Sequence, residues 1–382
     1  MKRELAAPST TTAATAGLLA LASAMGIGRF SLTPILPLMQ HDMDLTLSQG
    51  SWLATGNYVG YLAGALVCMT FAPSPVRSIR WGLVAVAVFT LAMAPARSPL
   101  PWFAFRFFAG AASAFVLVGT SAWAMPILAR SHREHWAGGV FAGVGIGIAL
   151  AGLLSLTAAV DGWDSRAAWT ALGLVAAALA GTLWRPLVGD RLPPASAETR
   201  LRQRLPRQAW VTAGCYGLFG YGYIIPATFL PALARSHIDN PVVFGWIWPL
   251  FGAAAAISTV VAARWGHRLA PRRMWVRAQW VLAAGVLAPL VSVNVVTLLI
   301  AAVCVGGTFM VITMAGIREL LRIGGARSSA AVGMMTAAFA TGQIAGPLTV
   351  TLFAGSGDAF AISGLIAAAG LVASNCVLLL QP

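Results

Sequence analysis

Arg29 is the residue whose placement in this sequence calls for chemistry. It sits in the middle of the first apolar segment, in Met25-Gly26-Ile27-Gly28-Arg29-Phe30-Ser31-Leu32-Thr33-Pro34, with no Asp or Glu beside it. No other predicted span carries a carboxylate near its centre. A cation at the centre of a lipid-spanning helix costs roughly 2.5–3.5 kcal/mol on insertion scales, so it survives only where it faces protein, water or a ligand. By helical periodicity Ala22, Gly26, Arg29 and Thr33 share one face, and the small neighbours leave room around the guanidinium. A guanidinium presents a rigid fork of donors that matches a carboxylate or phosphate. The competing reading is an arginine satisfied by main-chain carbonyls that braces the first helix.

Other polar residues recur at helical spacing in other apolar segments. Asn57, Tyr61, Gly64 and Cys68 share a face of the second, and Asn57 is placed to bond Arg29 or a substrate. In the fourth, Arg106, Ser113 and Thr120 are spaced by 7 residues with Gly110 between them, a candidate cavity stripe. Tyr216, Gly220, Tyr223 and Ala227 form a stripe in the seventh, and Gln343 with Thr336 marks the eleventh. The candidate substrate-binding set is thus Arg29, Thr33, Asn57, Tyr61, Ser113, Tyr223 and Gln343. Arg106, Asp161 and Asp164 are the candidates for coupling or gating.

Each has a structural alternative. Asn57 could serve as interhelical glue, at about 0.6 kcal/mol per bond. Arg106, expected near the outer end of its helix, could snorkel to water. Asp161-Gly162-Trp163-Asp164 also reads as a solvated loop. The four-residue glycine spacings Gly139-Gly143-Gly147 and Gly60-Gly64 read as close helix contacts. Gly143-x-Gly145-x-Gly147 has no preceding strand and no following Lys, which excludes a nucleotide loop. Trp52, Trp246 and Trp248 are expected in the outer aromatic belt.

Composition assigns these residues to a membrane. The 382 residues are 58% hydrophobic and 9% charged, against about 25% charged in soluble domains. Mean hydropathy is +0.79. Cys68, Cys215, Cys304 and Cys376 lie in different apolar segments without metal spacing, and the histidines His41, His132, His135, His237 and His267 lie outside those segments. No disulfide framework, metal site or cofactor motif is suggested. The net charge of +14 would suggest nucleic acid in a soluble protein. Here the basic residues fall in short connections, which points to membrane topology instead. Lys2-Arg3 and the following apolar run resemble a signal peptide, but the run continues to about Leu38, too long for a signal h-region, and is read as the first span.

Apolar runs of the required length predict twelve helices, over 13–38, 48–71, 80–96, 101–127, 137–160, 167–185, 209–232, 243–265, 274–293, 296–317, 330–353 and 359–380. The polar stretch 186–208 splits them into bundles at 1–185 and 209–382. With the N-terminus inside, 20 of the 25 Lys and Arg fall on the inner side, Arg97, Arg106, Arg166 and Arg235 near the outer side, and Arg29 between. That bias puts both termini in the cytoplasm.

The bundles repeat at an offset of 194 residues, which aligns Gly26 and Gly28 with Gly220 and Gly222, Leu36-Pro37 with Leu230-Pro231, Gly139 and Gly152 with Gly333 and Gly346, and Trp81 with Trp275. Tyr223 thereby occupies the position equivalent to Arg29. Parallel repeats of this kind place a substrate site between the halves, near the bilayer midplane.

The chain resembles the major facilitator superfamily. Gly26-Ile27-Gly28-Arg29-Phe30-Ser31-Leu32-Thr33-Pro34-Ile35-Leu36-Pro37-Leu38-Met39-Gln40 and Trp52-Leu53-Ala54-Thr55-Gly56-Asn57-Tyr58-Val59-Gly60-Tyr61-Leu62-Ala63-Gly64-Ala65 resemble its YbfB/YjiJ-like branch. Arg106-x-x-x-Gly110 is similar to the fourth-helix motif, with Ala109 and Ala112 in place of the usual Gln and second Gly. Gly342-x-x-x-Gly346-Pro347 is similar to the fifth-helix Gly-Pro motif, placed here in the eleventh helix. The Asp-Arg motif of the 2–3 loop is degraded to Ala72-Pro73-Ser74-Pro75-Val76-Arg77-Ser78-Ile79-Arg80, and the 8–9 loop keeps a looser echo in His267-Arg268-Leu269-Ala270-Pro271-Arg272-Arg273. The resemblance implies an all-α integral membrane protein of two pseudo-symmetric six-helix bundles.

The expectation is a monomeric carrier of a small, carboxylate-like organic anion, working by alternating access in a bacterial inner membrane, without a cofactor and without nucleic acid. Any coupling proton would ride on the substrate or use Asp161 or Asp164; uniport and anion exchange are equally open. An exporter of neutral or anionic drugs or metabolites is the alternative. A membrane-embedded transferase is the remote one, with only Asp161 and Asp164 as a close acid pair.

Overall fold

In lipid every main-chain N–H and C=O must be satisfied within the protein, so apolar runs of this length fold as helices. The structure, a computed structural model, describes residues 8–71, 73–188, 206–324, 328–356 and 358–381. Lys2, Arg3, Arg191, Arg200, Arg202, Arg204, Arg327 and most of the predicted 186–208 connection lie outside the described residues. The described residues are helical, with no strand among them.

The first half comprises α1 (Thr10–Leu21), a π-helical segment (Ala22–Arg29), α2 (Leu32–Asp42), α3 (Leu47–Phe71), α4 (Pro75–Ala92), α5 (Pro99–Arg130), α6 (Ala137–Val160) and α7 (Ser165–Leu183). The second comprises α8 (Arg207–His237), α9 (Pro241–Gly245), α10 (Ile247–Trp265), α11 (Pro271–Val291), α12 (Val295–Gly324), α13 (Ser328–Leu352) and α14 (Ala359–Leu380). With α1–α2 and α9–α10 each forming one traversal, the path crosses twelve times. Ten of these helical stretches meet both length and hydropathy requirements for a span. The other two, α3 and α13, have 25 residues each, about 37 Å at 1.5 Å per residue.

Helix starts follow local chemistry. Pro75, Pro99, Pro241 and Pro271 occupy first-turn positions, where a missing N–H costs nothing. Ser74, Asp164 and Asn240 accept the N–H groups of Arg77, Ala167 and Val242, as N-caps do.

Glycines set the closest approaches. A Cβ on Gly60 of α3 would lie 1.9 Å from the Phe107 carbonyl oxygen of α5, and one on Gly110 of α5 would lie 2.0 Å from the Asn57 oxygen. These two helices therefore touch backbone to backbone, as small-residue spacing predicts. The halves meet along α6 with α10, α3 with α13, and α2 with α8. On the first of these seams Gly145 and Gly252 approach each other's helix with no room for a Cβ.

Several expectations change. The π-helical segment rotates Gly26 away from Arg29 and onto the backbone of Gly147, so Gly26 makes helix contact and not room for a guanidinium. Gly143 and Gly147 pack on Leu18 and Ala22 as expected, but nothing lies within 4 Å of a Cβ on Gly139. Trp248 is buried at 1% exposure, while Trp52 and Trp246 are exposed as an outer belt requires. The predicted 296–317 helix runs on to Gly324, which carries Glu319 into α12. There it accepts from Arg272 Nε of α11 at 3.1 Å and from Arg322 Nη2 at 2.8 Å. An acid–base latch is thus present at this end of the second half, opposite the degraded 2–3 loop of the first.

Candidate substrate site

Arg29 owes its position to a break in the first traversal. The Phe30 N–H bonds back to the Met25 carbonyl at 3.1 Å, five residues earlier. Pro34 has no N–H to resume the ladder at once. Wide turns of this kind cluster at functional sites. The carbonyls of Gly28 and Arg29 are taken by neighbouring helices: Asn57 Nδ2 donates to Gly28 at 3.2 Å, and Arg106 Nη2 donates to Arg29 at 2.8 Å. Asn57 Nδ2 also donates to the Arg106 carbonyl at 2.9 Å. Asn57 and Arg106 hold the broken main chain; neither bonds the Arg29 side chain.

The Arg29 side chain is 3% exposed and points across the seam between the halves. Its Nη2 donates to Gln343 Oε1 on α13, and Gln343 Nε2 donates to the Tyr223 hydroxyl on α8. The guanidinium carbon lies 3.7 Å from the centre of the Tyr61 ring, 5.5 Å from Tyr58 and 5.6 Å from Phe30. Ring faces attract a cation and more so when water is excluded. Nε and Nη1 are buried without a hydrogen-bond partner. The cation is thus met by ring faces and one amide, and its remaining donors point at no acceptor.

The same layer ties the halves together. Thr33 Oγ1 donates to the Ala227 carbonyl at 2.9 Å across 194 positions of sequence, the repeat offset itself. Arg29 and Tyr223 are likewise repeat mates, joined through Gln343. Equivalent residues meet only near a pseudo-two-fold axis, so this layer sits where the two bundles face each other. Tyr58 shares a hydrogen bond with Thr228 at 2.9 Å in the same region. The predicted residues Arg29, Thr33, Tyr61, Tyr223 and Gln343 are therefore brought together. Ser113 is not among them. Its single hydroxyl proton is shared between the carbonyls of Ala24 and Ala109, both at 2.7 Å, inside the first bundle.

A family model described as an uncharacterised MFS-type transporter, YbfB, matches residues 21–379. The chain belongs to the major facilitator superfamily. Among solved structures, the nucleoside transporter NupG is similar, with a TM-score of 0.70 and 13% identity over 97% of this chain and 98% of that one. A mutant of NupG gives 0.68 and 13% over 95% and 98%. At that identity the likeness is one of fold. No curated protein matches the sequence. As a superfamily member this chain is a multi-pass membrane transporter of a small molecule, not an enzyme.

The coupling and gating candidates occupy other places in this transporter. Arg106 does not snorkel. It is 1% exposed, stands 5.7 Å from the Trp169 ring centre and leaves Nε and Nη1 without partners. The break in the first traversal explains the difference, since the free Arg29 carbonyl draws the side chain inward. At the end opposite the described termini a cavity of about 540 Å³ is lined by His41, Asp42, Trp163, Asp164, Arg235 and Asp239 among others. Asp164 lines it while capping α7 through the Ala167 N–H at 2.8 Å. Asp42 accepts the Ser165 N–H. Asp161 closes α6 and does not line the cavity. Arg235 Nη1 donates to the Pro37 carbonyl at 2.9 Å, joining the halves at this rim.

Sequence reasoning passed over Tyr58, Phe30, Phe309 and Phe339. Tyr58 carried a usable signal, lying three residues before Tyr61 on the same face. The phenylalanines carried none, because an apolar ring in an apolar helix reads as lipid contact or core.

Proposed function

We propose that the protein carries small carboxylate-like organic anions by alternating access between bundles 1–185 and 209–382, with Arg29 as the fixed positive charge of the binding site. The observation that carries this reading is the pair of buried, unpartnered donors, Nε and Nη1, on a guanidinium held at the seam between the halves. Buried donors are normally satisfied, and a carboxylate fits either guanidinium edge, Nε with Nη2 or Nη1 with Nη2, once Gln343 Oε1 gives up Nη2. Thr33, Tyr61 and Tyr223 complete the site, and Gln343 holds Arg29 until the substrate takes its place; Asn57, Ser113 and Arg106 hold the first traversal in the shape that presents Arg29. The location is a bacterial inner membrane with both termini in the cytoplasm, and the transporter works as a monomer. A proton, where one is coupled, travels on the substrate carboxylate or through Asp164 at the outer rim.

Counterflow of a monocarboxylate series in proteoliposomes tests this, with nucleosides as the comparison cargo because the similar solved structures are nucleoside transporters. The expected result is saturable carboxylate exchange that disappears in Arg29→Ala. Carboxylate exchange that survives the substitution removes the anchor, and nucleoside exchange without carboxylate exchange replaces the reading with one in which the rings around Arg29 stack a neutral base.

A further inference from the structure

Six aromatic rings stand around the Arg29–Gln343–Tyr223 bridge. Tyr61, Tyr58 and Phe30 lie on the side of the first half. Across the seam, the Tyr223 ring is nearly parallel to Phe309, at 5.5 Å and 3°, and to Phe339, at 5.7 Å and 8°. These separations are those of offset stacks. The row is therefore three contacting rings of nearly one orientation, drawn from α8, α12 and α13. Phe30 meets Phe309 edge-on at 6.3 Å and closes the set across the halves. The row continues into a larger buried cluster through Phe219, Tyr216 and Phe251. Here the row is registered to the guanidinium, because the hydroxyl of its middle ring is bonded to Gln343, which is bonded to Arg29.

The Gln343 amide is planar and shaped like a carboxylate. One of its atoms accepts from Arg29 and the other touches the Tyr223 hydroxyl, which accepts that bond and keeps its own proton to donate. A carboxylate in the same place receives a hydrogen bond from each side. The substituent of such an acid meets the rings that surround Arg29 once Gln343 swings aside, and the Phe30–Phe309 contact, which spans the halves, parts to admit it.

Building on the anion reading above, we propose that the substrates are planar aromatic monocarboxylates, with the acid group on Arg29 and the ring inserted beside Tyr223 and Phe309. Dicarboxylates are poor substrates, because among the described residues no second cation faces this layer: the Arg106 side chain turns to the Arg29 carbonyl and Trp169.

The test compares benzoate, cyclohexanecarboxylate and propionate in counterflow with the full-length protein in proteoliposomes. Benzoate and cyclohexanecarboxylate share carbon count and charge, so their ratio reads stacking apart from apolar burial. The expected kcat/KM ratio is about 10-fold in favour of benzoate, as one good ring pair provides, and it falls toward one in Phe309→Leu. Equal use of benzoate and cyclohexanecarboxylate, with all exchange lost in Arg29→Ala, overturns this inference and leaves the anion reading standing. A ratio that stays near 10-fold in Phe309→Leu also overturns it. Exchange of none of the acids in an Arg29-dependent manner overturns both. Should Phe309→Leu fail to reconstitute, thermal shift of the wild-type protein by benzoate against cyclohexanecarboxylate decides, and equal shifts at equal concentration refute the proposal.

Discussion

Gln343→Leu separates the two jobs that the bridging amide performs. The substitution keeps the approximate volume of a fully buried side chain and removes both of its hydrogen bonds, to Arg29 Nη2 and to the Tyr223 hydroxyl. Interhelical bonds inside membranes average about 0.6 kcal/mol and reach about 1.7. Assigning the larger figure to the charged bond and the smaller to the neutral one gives a loss of about 2.3 kcal/mol, close to 50-fold in an equilibrium constant. Only the Arg29 bond crosses the seam, since Gln343 and Tyr223 both belong to the second half, so about 1.7 kcal/mol of that loss, close to 20-fold, falls on the state in which the halves are closed without substrate. An empty carrier must pass through that state to return, whereas a loaded carrier replaces the amide with its own carboxylate. Net efflux into substrate-free medium is therefore expected to drop by up to about 20-fold in Gln343→Leu, while counterflow between loaded compartments falls far less. Apparent affinity should tighten, since the amide no longer competes for Arg29. Measuring both fluxes in the same vesicles checks this. Equal loss of efflux and counterflow, with weaker affinity, would refute the reasoning and make Gln343 a direct substrate ligand.

The remaining predictions concern the scaffold. Gly60→Ala places a Cβ 1.9 Å from the Phe107 oxygen, against a backbone that cannot rotate aside. Overpacking of this kind costs about 1–3 kcal/mol or more, so the detergent-solubilised protein should melt several degrees lower. Gly139→Ala, with nothing within 4 Å, should melt like the wild type. Glu319→Gln removes the negative charge from the contacts to Arg272 and Arg322 and one of the acceptor oxygens. Since Arg322 is 57% exposed and solvent screens it, the expected loss is about 1 kcal/mol, read as a lower melting point with substrate affinity retained. An unchanged melting point would mean that the latch contributes nothing.

Much of the architecture was legible before any coordinates. Lipid forbids unpaired main chain, so apolar length alone decides how many helices there are, and a constant repeat offset decides that they form two related sets. The offset also paired Arg29 with Tyr223, which Gln343 joins at the seam. Helix periodicity failed where the helix itself changed. The π-helical turn at Ala22–Arg29 adds a residue per turn, so the face predicted for Gly26 and Arg29 splits. It also releases the carbonyl that pulls Arg106 inward, an event no spacing rule contains.

What the sequence determined by itself was an isolated cation in a membrane, the helices around it and the symmetry that faces it with a tyrosine. Only tertiary structure decided what the cation touches. Gln343 lies 314 positions from Arg29, and Phe309 gains meaning only from its alignment with Tyr223. Residues so distant along the chain are brought together by helix packing across the seam. The energy of that packing is summed over many weak contacts that leave no local pattern in the order of residues.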